Sequence, residues 1–128
     1  MDFYSKGIVC TSFAGGKTHD FALFKQQAIQ IHPSTLCATD SGYQGIAQLH
    51  PRAYCPQKSS KHHPLTPADI AYNRTLASYR IVVEHVICRL KVFKILACRY
   101  RNRRRRFGLR FNLIAGIYNR ELQLQADL

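Results

Sequence analysis

Asp40 and Glu84 are the two residues of this chain whose type and setting could do chemistry. Asp40 follows a short apolar run and opens the segment Asp-Ser-Gly-Tyr-Gln-Gly45, and Glu84 stands within Arg80-Ile-Val-Val-Glu-His. The whole chain holds only seven acids, so an acid after a strand-like run and another in an arginine-rich stretch stand out. Magnesium prefers carboxylate and water oxygens, and two such ions about 3.5–4 Å apart can clamp the attacking and leaving oxygens of a phosphodiester. Asp and Glu supplied by separate elements would serve that chemistry. A plainer account has Asp40 starting a turn and Glu84 pairing with Arg80 one helical turn earlier as a surface ion pair. Spacing alone leaves both open.

His19 and Asp20 form a second candidate group, a proton donor beside a further carboxylate. Capping of a helix by Asp20 explains the pair more simply. His50, His62, His63 and His85 show no metal-ligand spacing. Cys10, Cys37, Cys55, Cys88 and Cys98 are odd in number and match neither a disulfide framework nor a zinc pattern, which suits a reducing compartment.

Charge points to the partner. The chain carries 19 Lys and Arg against 7 Asp and Glu, a net charge of +12. Between Arg74 and Arg110 twelve basic residues face Glu84 alone. Lys and Arg that neutralise phosphates release counterions, so this concentration implies a polyanion, with nucleic acid ahead of an anionic membrane surface. The residues expected to grip phosphate are Arg80, Lys91, Arg101, Arg103, Arg104, Arg105, Arg106 and Arg110, with a solvated helix face or a localisation-like tract as the other readings of the arginine run. Contacts of this kind position DNA and carry little sequence information. No window approaches the ~20 apolar residues needed to span a bilayer, and no charged leader precedes an apolar core, so a cytoplasmic protein without membrane contact is expected.

The elements that must position these residues follow from local pattern. With 128 residues and 46% hydrophobic content, one modest core in one domain is expected. Residues 7–14 are β-prone and close on Gly15-Gly16, which predicts a strand and turn. Asp20 should cap a helix carrying Phe21, Phe24 and Ala28, which stops before Pro33. Leu36 to Thr39 should form a short buried strand with the Asp40 turn at its C-terminal end, where ligands of α/β sheets gather. Pro51, Pro56 and Pro64 with Lys58, Lys61 and His62-His63 predict a mobile basic loop over 46–65. Thr66, Pro67 and Asp69 have the spacing of a capping box, opening a helix that runs to about Leu96. On that helix Val83, Val86, Ile87 and Leu90 would make the apolar stripe, with Glu84 at its rim. A last helix is expected over 107–122, with Phe111, Ile114, Tyr118 and Leu122 on one face.

Four segments, Lys17-Thr-His-Asp-Phe-Ala-Leu-Phe24, Asp40-Ser-Gly-Tyr-Gln-Gly45, Asn73-Arg with Arg80-Ile-Val-Val-Glu84, and Tyr100-Arg-Asn-Arg followed by Phe107-Gly-Leu-Arg-Phe-Asn-Leu-Ile-Ala-Gly-Ile-Tyr-Asn119, together resemble the DDE transposases of bacterial insertion sequences. The resemblance covers nearly the whole chain. It implies a ribonuclease H-like α/β fold in which two Asp and one Glu hold magnesium or manganese, and water or a 3′-hydroxyl attacks DNA phosphodiesters. Asp40 matches the second acid and Glu84 the third. The family's first acid lies on the first strand, upstream of the His-Asp segment. Only eighteen residues precede His19, Asp2 is too close to take that role, and Asp20 occupies the His-Asp position itself. Residues 1–128 are therefore expected to form the C-terminal portion of a DDE domain, a partial ribonuclease H-like fold with a short mixed sheet flanked by helices and its first strand missing. The implied partners are insertion-sequence DNA ends, an upstream transposase polypeptide and, in the full-length family, further copies. Cleavage and strand transfer are expected to be impaired. A basic DNA-binding module without catalysis, or a translated remnant, are the alternatives.

Overall fold

A computed structural model describes residues 1–27, 29–98 and 106–127 of the chain. It divides into two compact units, one built from Ala14–Arg80 and one from Met1–Phe13 with Ile81–Leu128.

In the unit Ala14–Arg80, helix α1 spans Asp20–Gln26. Its cap is His19, not Asp20: the His19 ring nitrogen Nδ1 accepts the Phe21 N–H at 3.2 Å, and Asp20 is the first helical residue, where its charge favours the positive end of the helix. Ala28, expected on this helix, lies outside the described residues. Strand β1, Cys37–Ala38, pairs in parallel with β2, Ala53–Tyr54, in the register Cys37 to Ala53 and Ala38 to Tyr54. The expected mixed sheet is thus, among the described residues, a two-stranded parallel one. Parallel strands need a crossover of a dozen or more residues. Here residues 39–52 supply it with two single-turn 3₁₀ helices, Ser41–Tyr43 and Ile46–Gln48. Gly45 joins them at φ +88°, a left-handed conformation that costs glycine little and other residues more. Ile46, 1% exposed, anchors the second 3₁₀ turn in the core. His50 is buried with it and shares a hydrogen bond with the Thr35 carbonyl at 2.7 Å. The first part of the expected loop 46–65 is therefore ordered structure that ends in a strand.

Helix α2 runs from Pro67 to Leu90. Its capping box is fully formed: the Asp69 carboxylate accepts from the Thr66 N–H at 2.9 Å and hydroxyl at 2.7 Å, and the Asp69 N–H donates back to the Thr66 hydroxyl at 3.2 Å. The helix does not reach Leu96. It breaks after Leu90 in tight turns, with the Val92 N–H on the Arg89 carbonyl and the Phe93 N–H on the Leu90 carbonyl, and restarts as α3, Lys94–Ala97, behind an extended Phe93. The break lets Ile95 and Leu96 turn onto the core rather than continue along the α2 axis.

The second unit has its core where α2 meets α4, Phe107–Ala126. Val86, Leu90, Ile114 and Tyr118 are buried together, and Ile8, Ile95, Leu96, Phe111 and Leu122 pack around them. The face predicted for the last helix is the one observed, and each fully buried aliphatic side chain contributes about 1.5–3 kcal/mol. The stripe predicted for α2 is corrected. Val83 and Ile87 are 40% and 42% exposed, and the covered line runs through Val82, Val86 and Leu90 at four-residue spacing. At 100° per residue Glu84 stands about 160° from that line, on the far side of the helix rather than at its rim.

Residues 7–14 form no strand among the described residues. A strand needs a ladder, and here α4 side chains take part of its place. Asn119 Oδ1 accepts the Ile8 N–H and Asn119 Nδ2 donates to the Ile8 carbonyl, both at 2.8 Å. Thr11 bonds Asn112, the Tyr118 hydroxyl donates to the Lys6 carbonyl at 3.3 Å, and the Phe13 ring packs edge-on against Phe107 and Phe111. A side-chain amide can bond the N–H and C=O of one residue, but it cannot continue a ladder along the chain.

Candidate active site

Asp40 sits where β1 ends, immediately before the first 3₁₀ turn, in extended backbone at φ −77° and ψ 162°. The turn is fixed from several sides. Tyr43 lays its ring against Phe21 and Phe24 of α1, at 5.5 and 6.1 Å between centroids. Burial raises the Tyr43 pKa, with the charges of Asp20 and Asp40 adding to the rise, so its phenol stays neutral. A Cβ at Gly42 would stand 3.5 Å from the His19 ring, which shows how closely the turn passes the α1 cap. His19 therefore belongs to the surroundings of Asp40, although its observed bond is a cap.

The Asp40 side chain is 54% exposed, and its Oδ2 lies 3.8 Å from a guanidinium nitrogen of Arg80. That separation is an ion pair without a direct hydrogen bond between the two groups. The Ser41 hydroxyl holds the Asp40 carboxyl below its usual pKa, opposed by burial and helped by Arg80 and by the Gly42 and Ser41 amides. These neighbours act by proximity, because none forms a well-aligned capping bond to the carboxylate. Asp40 is consequently ionised at neutral pH and open to solvent.

Arg80 and Glu84 are one turn apart on α2, and both are exposed. Within the unit Ala14–Arg80 the pair brought together is Asp40 with Arg80; Glu84 belongs to the other unit. Of the basic residues expected on phosphate, Lys91 and Arg106 are exposed, Arg110 is half-buried on α4, and Arg101, Arg103, Arg104 and Arg105 lie outside the described residues. Arg89 places its guanidinium 5.5 Å from the Tyr118 ring, a packing role that pattern alone did not single out.

The donor chemistry of these acids suits a hard divalent ion. Magnesium is commonly held by one or two carboxylates, with water and substrate phosphate completing its shell, and Asp40 and Glu84 are exposed carboxylates of that kind. Among the described residues no group of three or more His, Cys, Asp or Glu side chains could hold a metal ion. A carboxylate beside a guanidinium also suits a phosphodiester, since Arg matches phosphate geometry.

Gln44, Cys55 and Asn73 are the residues that reasoning from sequence left without a role. Gln44 Nε2 faces three acceptors, the Pro56 carbonyl at 2.9 Å, the Ser41 carbonyl at 3.2 Å and Cys55 Sγ at 3.2 Å. Cys55 in turn donates to the Asp40 carbonyl at 3.2 Å. Asn73, on α2, accepts the Gln57 N–H at 2.8 Å and donates to the Gln57 carbonyl at 2.9 Å. The available signal was the presence of Gln44 and Asn73 inside two of the four matching segments.

Comparison with known proteins agrees with this arrangement of motifs. The sequence profile of the DDE superfamily endonuclease family matches residues 4–119. A probable transposase for insertion sequence element IS702, from Microchaete diplosiphon, is 50% identical over 119 residues. That alignment covers 93% of this chain, and the chain spans 43% of the length of that relative. No solved structure matches. The chain belongs to the DDE superfamily endonuclease family.

Proposed function

We propose that this chain supplies Asp40 and Glu84 to a magnesium- or manganese-dependent site that cleaves and joins DNA phosphodiesters at insertion-sequence ends, on a ribonuclease H-like frame. The observation that carries the reading is Asp40 itself: an ionised, solvent-open carboxylate at the end of a parallel strand, beside the Arg80 guanidinium. A bound divalent ion would supply charge neutralisation at the phosphoryl oxygens and a more acidic water. The chain's own residues do the rest. Asp40 and Glu84 offer oxygen ligands, Arg80 attracts the phosphate, and Lys91, Arg106 and Arg110, with the arginines at 101 and 103–105, hold the backbone of the duplex.

No residue here matches the first acid of the family pattern, and an upstream transposase polypeptide is proposed to supply it. Two features support such a partner. Residues 7–13 have no ladder partner among the described residues, with Val9 72% exposed. Helix α4 also exposes Leu109, Leu113, Ile117 and Leu124 on the side away from Ile114 and Tyr118. The rival reading, DNA binding without cleavage, rests on the twelve basic residues between Arg74 and Arg110.

Calorimetry with Mn²⁺ separates the two. Asp40→Ala and Glu84→Ala should each weaken metal binding while leaving DNA affinity and its salt slope, about −0.9 per phosphate neutralised, unchanged. Mn²⁺ binding indifferent to both substitutions would reject the metal site. Adding an upstream transposase polypeptide to the chain, with magnesium and end-labelled element DNA, should raise cleavage above that of the chain alone.

A further inference from the structure

We propose that Gln44, Cys55 and Asn73 form a clamp that sets the position of the Asp40 turn against α2, and are thus positioning residues for the metal site. This rests on the proposed role of Asp40 as a metal ligand and adds to it the means by which the ligand is held. The clamp is a set of hydrogen bonds joined through the backbone of residues 55–57. Asn73 grips both backbone groups of Gln57, at 2.8 and 2.9 Å, and so fastens the segment after β2 to α2. Gln44 reaches across to the neighbouring Pro56 carbonyl at 2.9 Å and also to the Ser41 carbonyl. Cys55 closes the loop with its thiol on the Asp40 carbonyl. The Asp40 main chain is therefore tied, through the segment 55–57, to the helix that carries Arg80.

The bonding pattern suits positioning better than general stabilisation. Every target in the chain is a main-chain atom except Cys55 Sγ, and the atoms bonded directly in the turn are the carbonyls of Asp40 and Ser41. The turn's own bond, from the Tyr43 N–H to the Asp40 carbonyl at 3.0 Å, shares its acceptor with the Cys55 thiol. Partners that orient metal ligands without touching the metal typically alter affinity 10–100-fold when removed. The low end is expected here, because Gln44 and Cys55 each hold only part of the turn.

The test measures Mn²⁺ affinity by calorimetry and hydrogen exchange at the Tyr43 amide in the full chain and in Asp40→Ala, Gln44→Met, Cys55→Ala and Cys55→Ser. Gln44→Met and Cys55→Ala should each weaken Mn²⁺ binding about tenfold and speed Tyr43 exchange. Cys55→Ser, which keeps a donor and an acceptor, should stay near the parent in both. Parent-like affinity and exchange in Gln44→Met and Cys55→Ala, with binding abolished in Asp40→Ala, would overturn the clamp while leaving the metal site standing. Parent-like binding in Asp40→Ala would instead remove the metal reading. Tyr43 exchange alone would then decide whether the turn is clamped. Should Gln44→Met fail to fold, the contrast between Cys55→Ala and Cys55→Ser decides the same question.

Discussion

Replacing Asn119 by Ala removes the one side chain that bonds both main-chain groups of Ile8. Two hydrogen bonds of 2.8 Å are lost, and both are partly buried. A typical intramolecular hydrogen bond contributes about 0.5–1.5 kcal/mol net, and more is lost when a buried partner is left unsatisfied. Ile8 is only half-buried, so water can reach part of what is exposed, and the combined loss should be about 2 kcal/mol. At 1.4 kcal/mol per tenfold, local opening of the segment 7–13 becomes about 30 times more frequent. Hydrogen exchange at the Ile8 amide should accelerate by that factor, and urea unfolding of the chain should shift to lower denaturant. Buried core amides on α4, such as that of Tyr118, should exchange more nearly at the parent rate. A loss below about 0.5 kcal/mol with unchanged Ile8 exchange would show that this amide is not what holds the segment to α4.

Other outcomes follow from the capping and turn geometry. Gly45→Ala should destabilise the chain by about 1 kcal/mol although nothing lies within 4 Å of the added Cβ, because φ is +88° there; an unchanged unfolding midpoint would contradict the strain. The Asp69 carboxyl is held below its ordinary value of 3.8, chiefly by the Thr66 hydroxyl and then by the Thr66 N–H. Its folded pKa is depressed, so its stabilising contribution is complete above 3.8 and disappears as pH falls through the lower folded value. Thr66→Ala should flatten the acid limb of the stability profile in that window, and an identical profile in the variant would refute the assignment.

Signals confined to a few neighbouring residues were legible in the sequence. Thr66 and Asp69 specify a helix start by their own hydrogen bonds, with Pro67 at the first helical position, and the three- and four-residue spacing of Phe111, Ile114, Tyr118 and Leu122 fixes the buried face of α4. Asp40 at a strand end was equally legible, because its turn is built from adjacent residues. Signals that depend on a distant partner were not. The β-prone stretch 7–14 has the composition of a strand, but strand formation is settled by what pairs with it. Ala53 and Tyr54 were hidden in a proline-rich stretch, since two residues carry too little alternation to announce a strand and their pairing to Cys37 and Ala38 is nonlocal. The α2 stripe was misplaced because Val82, Val83, Val86 and Ile87 are all apolar, and pattern alone cannot say which of two adjacent lines finds a neighbour. Asn73 and Gln44 went unassigned for a related reason: an amide that binds peptide groups leaves no mark on the residues it binds.

That last property has an evolutionary corollary. Asn73 and Asn119 hold Gln57 and Ile8 by atoms that every amino acid except proline possesses in full. The gripped stretches can therefore drift through almost any composition without loosening, while the two asparagines cannot, and proline at 8 or 57 is the single replacement that would unhook them.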